Sequence, residues 1–418
     1  MRLPSLEMLM KTLAVALVLL WTGVVQAAGF AVDVHSARAV GMAQTMKAHI
    51  DDASAVFFNP AGLIMGRQFD IQVGDTLIIP ALSVKDATGT TYTTEKEVVP
   101  PPHIYAAYAL NDDISLGLGM FSLFGLVVPW APDWPGKYQT IRTELKTYFI
   151  NPEVAVRIGD RVRVGAGVEI IRGTAKLDRA LLFPGQQDGR VTLGGGGWAV
   201  GGNGGVMVDI IPRVFTFGAT YRSAATFDIT GSAHFTGIPP EFQGSIHDQR
   251  AKTTVHLPQT FGFGLALWPI PILRLALETE YTGWQVVQDL TISFPDTPPT
   301  PPNTLGPLDT FLPKKWKHAW LVRTGGELTV ADQWRVRAGV MYDMTPSPSE
   351  TITPDIPDAN RINLGAGVGY RWYNFNFDLG YQLVVFLNND STSPTRPIGA
   401  GTYSGTANIL SFTIGYRM

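Results

Sequence analysis

Connections between apolar–polar alternating segments switch strictly between short and long along most of this chain, and few folds can accommodate that rhythm. Downstream of about residue 68 the short connections are Asn111-Asp112-Asp113, Gly159-Asp160, Ile211-Pro212, Pro269-Ile270-Pro271, Ala331-Asp332 and Trp372-Tyr373-Asn374. The long ones cover 80–103, 125–147, 174–197, 230–259, 284–317, 344–361 and 388–405. The segments between them are roughly ten residues long, the length that crosses a bilayer as a tilted strand. A soluble β-sandwich has no reason to collect its long loops at one end. A transmembrane β-barrel does, with short turns on the periplasmic side and long loops outside.

Length alone suggests two or three soluble domains, but the hairpin rhythm offers no place to divide them. Apolar residues make up 45% of the chain and charged ones 16%. No apolar run reaches the roughly 18 residues that a spanning helix needs. Apolar residues dispersed by alternation fit a barrel wall facing lipid, and the 44 glycines and 11% aromatic residues fit tight strands and interfacial girdles. The N-terminus reads as a secretory signal over 1–27: Arg2 and Lys11 are basic, Thr12 to Val25 form a short apolar core, and Val25-Gln26-Ala27 supplies a small-residue cleavage site. Cleavage there leaves 30 basic and 34 acidic residues, a net charge of −4, which is no balance for nucleic-acid binding. With no Cys, neither disulfides nor thiolate metal sites are available.

Counting alternating segments over 68–418 predicts fourteen strands, centred near 74, 107, 119, 153, 167, 204, 221, 264, 278, 324, 339, 367, 381 and 412. The number is even, as single-chain bacterial barrels require. In one segment Val162, Val164, Ala166, Val168 and Ile170 oppose Arg161, Arg163, Gly165, Gly167 and Glu169. In another, Trp334, Val336, Ala338, Val340 and Tyr342 oppose Arg335, Arg337, Gly339 and Asp343. The charged and glycine faces are expected in the lumen, because Arg on the lipid side costs about 2–4 kcal/mol at mid-membrane. In the last segment Asn408, Leu410, Phe412, Ile414, Tyr416 and Met418 share one face. That series is similar to the C-terminal assembly signal of outer-membrane barrels, although Met418 stands where an aromatic residue is usual.

The expected fold class is therefore all-β, a 14-stranded antiparallel transmembrane barrel. A barrel this wide is not filled by its own side chains. The segment 28–67 precedes the first strand and is too apolar to hang in the periplasm, with Val56, Phe57, Phe58, Leu63, Ile64 and Met65 close together. It is expected to fold into the lumen as a hatch, with a short helix within the Ala- and Met-rich stretch from His35 to His49.

At Ala28-Gly29-Phe30, and again from Asp51-Asp52-Ala53-Ser54 through Phe57-Phe58-Asn59-Pro60-Ala61-Gly62-Leu63, the chain resembles the FadL/TodX-type family of outer-membrane transporters for long-chain fatty acids and other hydrophobic compounds. Asn59-Pro60-Ala61 looks like that family's hatch motif. Further similar positions are Ala175-Lys176-Leu177-Asp178-Arg179, Tyr221-Arg222-Ser223, Leu257-Pro258, Tyr281-Thr282-Gly283-Trp284 and Ile356-Pro357-Asp358-Ala359-Asn360-Arg361. The resemblance implies capture of hydrophobic molecules by an apolar groove among the outer loops. It also implies a buried pocket, a hatch that moves, and a sideways exit beside an inward-kinked third strand.

Several residues are candidates for these roles. From Phe121 to Gly136 apolar side chains occupy both parities, and such a patch marks a binding surface or caps the barrel mouth. Phe121, Leu123, Phe124, Leu126, Trp130 and Trp134 are the substrate-binding candidates within it. Arg179 matches a position where the resemblance implies a basic group near the substrate head, although Lys176 and Asp178 beside it are equally consistent with a solvated loop cluster. Arg suits a carboxylate by its bidentate geometry. Asn59, Pro60 and Ala61 are the gating candidates, since Pro fixes φ and Asn can cap a turn. Gly117 and Gly119 mark a strand where a kink is expected. Asp358 and Arg361 are expected to form a lumen ion pair. Lys314, Lys315 and Lys317 could attract anionic substrates or lipopolysaccharide phosphates, or be plainly solvated.

Enzymatic readings find little support. There is no G-x-S-x-G elbow, H-E-x-x-H helix, P-loop or complete G-x-G-x-x-G, and the seven His lack metal-ligand spacing. Neither a cofactor nor a metal is expected. The leading expectation is a monomeric, multi-pass outer-membrane channel for hydrophobic molecules, with long-chain fatty acids first. Uptake of small aromatic hydrocarbons and a general aqueous porin are the alternatives. The expected partners are that ligand, outer-membrane lipid and lipopolysaccharide.

Overall fold

The computed structural model describes residues 29–66, 68–297, 310–392 and 401–418. Residues 1–27, read as a secretory signal, lie outside the described residues. Fourteen strands form the wall. They are β1 (Phe69–Lys85), β2 (His103–Ala109), β3 (Ile114–Phe121), β4 (Arg142–Ile158), β5 (Val162–Leu181), β6 (Gly189–Ile211) and β7 (Phe215–Arg222). They continue with β8 (Thr260–Ile270), β9 (Leu273–Thr282), β10 (Ala319–Ala331), β11 (Trp334–Asp343), β12 (Arg361–Trp372), β13 (Phe375–Asp390) and β14 (Thr402–Arg417). Each pairs antiparallel with its neighbours, and β14 returns to β1 in one register from Asp70↔Arg417 to Lys85↔Thr402. The ring has no free edge, so nearly all of the wall's backbone polar groups find partners within the sheet, as hydrocarbon demands. All fourteen expected segments are present, and the six short connections join the pairs from β2–β3 to β12–β13.

Alternation sorts the side chains as the period-2 pattern requires. Val336 is 49% exposed and Phe412 48%, whereas their neighbours Arg337 and Thr413 are 3% and 2% exposed. The apolar face thus meets lipid and the polar face meets the lumen. Aromatic side chains gather at both rims of this band. Trp334 packs on Tyr370 with centroids 4.7 Å apart, and Trp372, Tyr373, Phe375 and Tyr416 continue the row near the short turns. Tyr221, Phe261, Tyr281 and Trp320 run across four neighbouring strands at the opposite rim. Such paired girdles mark the two membrane–water interfaces.

Most of the expected long loops are partly strand, and three of them, 174–197, 230–259 and 284–317, contribute to one outer sheet. β5 and β6 stay paired up to Leu181↔Gly189, so most of 174–197 is ladder and the glycine run 194–197 lies within β6. Strands Ala225–Thr236 and Gln249–Leu257 form a hairpin on the outer half of β6. Strands Asp289–Ser293 and Thr310–Pro313 extend it. The wall therefore continues as a sheet above the membrane band on this side.

The segment from Gly29 to Met65 fills the lumen. It holds only two short helices, α1 (Ala37–Val40) and α2 (Ala55–Phe58), and a 3-10 turn at Pro60–Leu63. The short helix expected between His35 and His49 is α1, and the chain leaves helical geometry beyond it where Ala43 (φ 49°) and Gln44 (φ 67°) turn left-handed. Small residues let the segment approach the wall. A Cβ on Gly165 would stand 2.6 Å from the Pro60 carbonyl carbon, and one on Gly117 would stand 2.7 Å from Leu63. Gly117 and Gly119 thus give room to the hatch and lie within an unbroken β3–β4 register; they are not the kink.

Candidate functional site

The third strand breaks a few residues later. Phe121 pairs with Phe149 on β4, and pairing resumes only at Gly125↔Lys146, in a short strand Gly125–Pro129. Ser122, Leu123 and Phe124 face two residues of β4 across the gap, so the strand must buckle. The Thr147 hydroxyl mends the ladder there: it accepts from Phe124 N at 3.1 Å and donates to Phe124 O at 2.5 Å. The hatch supplies the remaining partners. Val32 N donates to Leu123 O at 2.7 Å and Gly125 N donates to Phe30 O at 2.9 Å. His35 Nε2 lies 2.6 Å from Ser122 O. A carbonyl only accepts, so the proton sits on Nε2. Burial pushes His35 down to about 4, so the ring is neutral at pH 7.

Inside this break lies a cavity of about 390 Å³. Phe30, Val32, Phe57 and Phe58 of the hatch and Leu123, Phe124, Leu126 and Leu145 of the wall supply its apolar surface. Phe30 anchors one end, 4.7 Å from Trp284, 5.6 Å from Trp316 and 5.9 Å from Phe124. A smaller space of about 130 Å³ lies toward the outer sheet. Leu177, Leu193, Ile229 and Val255 line it, and it shares Phe30, Leu126 and Leu145 with the first. The two spaces form an apolar route from the outer loops inward.

Cations lining the larger cavity each face a carboxylate. Lys47 meets Glu280 at 2.7 Å, Arg222 meets Glu169 at 2.5 Å and Arg323 meets Glu278 at 2.9 Å. Lys146 meets Glu144 at 2.7 Å and Arg361 meets Asp343 at 3.3 Å. Arg222 also lies over the rings of Phe57 and Phe121, at 5.5 and 5.8 Å. Buried charges persist only when paired in this way.

The sequence-expected residues divide among three places. Leu123, Phe124 and Leu126 line the cavity. Phe121 is buried between hatch and wall, stacked on Phe149 at 5.4 Å and edge-on to Phe57 at 5.1 Å. Trp130 and Trp134 stack on each other at 4.2 Å within a separate cluster with Leu82, Val84, Ile352 and Tyr403. Their indole N–H groups donate to Pro354 O and Thr140 O, at 2.9 and 2.8 Å. They fasten the loops around them and line neither space. Arg179 is away from both spaces, with Nη2 donating to Thr310 Oγ1 at 2.9 Å. Asp358 and Arg361 pair at 3.9 Å, a looser contact than the 3.3 Å from Arg361 to Asp343. Asp358 also accepts from Gly29 N at 3.0 Å and from Thr345 Oγ1 at 2.6 Å, which ties the hatch's first described residue to an outer loop. Burial pushes this carboxyl up, against the pull of Arg361. Lys47 and Arg323 carried no sequence signal beyond their type, whereas Arg222 and Arg361 lay inside quoted motifs.

At the other end the hatch is bolted down. Asn59 donates to Lys47 O at 2.7 Å and Val206 O at 3.3 Å, and accepts from Ala61 N at 3.1 Å. Pro60 and Ala61 are buried beside it. Arg38 joins Asp52 at 2.7 Å to Glu327 at 3.2 Å, Glu327 meets Arg337 at 2.7 Å, and Arg274 meets Asp51 at 3.0 Å. Straight passage down the barrel axis would have to break this network.

A family model described as outer membrane protein transport protein (OMPP1/FadL/TodX) matches residues 18–418. The long-chain fatty acid transport protein of Escherichia coli O6:H1 is 24% identical over 434 residues, covering 94% of each chain. A Pseudomonas aeruginosa FadL homologue superposes with a TM-score of 0.83 at 19% identity, covering 93% of this chain and 99% of its own. The Pseudomonas putida toluene transporter TodX gives 0.74 at 16%, covering 92% and 98%. At such identities the solved structures speak for the fold.

Proposed function

From the premise that the chain belongs to the outer membrane protein transport family (OMPP1/FadL/TodX), we propose that it carries hydrophobic molecules passively across the outer membrane. The observation behind this reading is the apolar cavity that opens onto the break in β3, with the hatch seated across it. Cargo leaves water for the outer apolar space, moves to the larger cavity past Phe30 and Leu126, and exits sideways once residues 30–35 release the broken strand. The driving force is transfer of apolar surface out of water, about 25 cal/mol per Å². Nothing in this route calls for catalysis. We assign 1–27 to a signal, 28–67 to the hatch and 68–418 to the barrel, acting as a monomer among outer-membrane lipid and lipopolysaccharide.

Long-chain fatty acids are the first cargo, in line with the names of the curated relatives. Small aromatic hydrocarbons are the second, favoured by the paired state of the cavity's cations. A fatty acid carboxylate would have to draw a cation from its partner, and unpairing a buried charge costs about 3–5 kcal/mol. Equilibrium binding of oleate and toluene to the detergent-purified barrel tests both readings. Binding of either ligand, unchanged by Arg179→Ala and weakened by Leu123→Asp, supports the cavity. Oleate binding lost in Arg179→Ala would move the head-group site to Arg179, and binding of neither ligand would sink the proposal.

A further inference from the structure

The break in β3 has a counterpart on β2. Strand β2 begins at His103, directly after Pro100-Pro101-Pro102. Before the prolines, Val99 still holds β1: Val99 N donates to Ile78 O at 2.9 Å and Ile78 N to Val99 O at 3.0 Å. This bridge keeps the register of the Gly74↔His103 pair, so the prolines are laid along the wall as part of the same extended strand. Their burial alternates accordingly, Pro101 buried and Pro100 and Pro102 exposed toward the lipid side. On the other side, β2 and β3 pair as far as Ile104↔Met120. Continuing that register sets Pro102, Pro101 and Pro100 opposite Ser122, Leu123 and Phe124, the three residues of the break.

Proline has no N–H, so it cannot donate to a ladder, and in sheets it is confined to edges and bulges. Val99 N points to β1, so Pro100 and Pro102 occupy the places whose amides would face strand three and Pro101 the place facing β1, and strand three has no donor from β2 along that stretch. In hydrocarbon an unsatisfied carbonyl is costly, so the missing donors must come from elsewhere. His35 Nε2 of the hatch serves Ser122 O and the Thr147 hydroxyl serves Phe124 O, while Val32 N of the hatch holds Leu123 O between them. The cavity is lined by these prolines and by Ser122–Val127 together, so it reaches the wall at this place.

We propose that Pro100-Pro101-Pro102 are positioning residues that hold the wall open between β2 and β3, so that hatch residues close the exit window and wall-to-wall pairing cannot. This rests on the sideways exit proposed above. Release of residues 30–35 then opens a window that β2 is chemically unable to zip shut.

The triple variant Pro100→Val, Pro101→Thr and Pro102→Val restores three amides and keeps the inward and outward polarity. Hydrogen exchange of those new amides in nanodiscs reports directly whether the ladder forms. The expected result is slow exchange at 100 and 102, whose amides face strand three, and transfer per bound cargo to the surrounding bilayer, with occupancy measured in parallel, slowed roughly ten-fold, since gating steps limit such release. Transfer per bound cargo at the wild-type rate overturns the proposal, and so does loss of all binding, which would leave the prolines a role in the cavity lining alone. If wild-type protein neither binds nor transfers cargo, the transport reading fails, and freely exchanging new amides would separately overturn the proline claim. Should the variant not assemble, Pro101→Cys with Leu123→Cys in this cysteine-free chain gives a reversible staple. Its oxidised form is expected to block transfer and its reduced form to restore it; equal transfer in both forms overturns the proposal.

Discussion

Asn59 makes three hydrogen bonds from one side chain, to Lys47 O, Val206 O and Ala61 N. Asn59→Ala leaves buried backbone groups unpaired, at about 1–3 kcal/mol each. The expected outcome is a barrel that assembles normally, with faster hydrogen exchange across 45–63 and altered cargo uptake. Gly165→Ala should act in the same direction, because its Cβ would meet backbone of Pro60, which cannot swing aside. His35 adds a pH dependence. Burial holds its folded value at about 4, below the ordinary imidazole value of about 6.5. As pH falls through that interval the released segment takes up a proton that the docked one refuses, so docking weakens on acidification. Exchange of residues 30–40 should therefore quicken between pH 7 and pH 5, and His35→Gln should flatten that change; His49, also buried and held at about 3, leaves a residue of it. The sequence made Asn59-Pro60-Ala61 conspicuous, but His35 was legible only as one of seven scattered His. Its partner Ser122 O lies 87 positions away and is freed by a strand break that no local pattern announces.

At the level of elements, the loop after β3 was read from its mixed parity, and parity separates its two halves poorly. Leu123, Phe124 and Leu126 point into the cavity, while Trp130 and Trp134 close on each other and on the loop around Ile352. Trp134→Ala is expected to loosen the outer loops by about 3–5 kcal/mol, as burying and then removing so large a side chain does. Limited proteolysis should then cut between 125 and 141 while ligand affinity stays near wild type; a matching loss of affinity would return Trp134 to the binding surface. The outer sheet was legible in part. Phe227, Ile229, Gly231, Ala233 and Phe235 alternate cleanly with polar neighbours. A template of one membrane crossing per strand assigned those residues to a loop, because it had no place for strands that pass beyond the bilayer. The kink was misplaced for a related reason. Glycines in β3 give room to Val56 and Leu63, whereas the break lies opposite a run of prolines on the neighbouring strand.

For the molecule as a whole, the turn rhythm and period-2 patterning carried nearly everything about the wall, since both are imposed by the bilayer. The cavity was not legible in the same way: it is assembled from Phe30, Leu123, Leu145 and Arg222, which meet only once the hatch is inside the barrel. Removal of residues 28–67 should convert the protein into an open aqueous pore, seen as large steady conductance in planar bilayers. The central claim is that a sealed barrel passes apolar cargo and excludes polar solutes. Its most direct test is paired uptake by an outer membrane in which this chain is the sole added channel, using labelled oleate and toluene against a sugar of similar size. The account predicts saturable entry of at least one apolar probe with sugar permeability unchanged. Raised sugar permeability with no gain in apolar uptake would contradict it and identify a general porin instead.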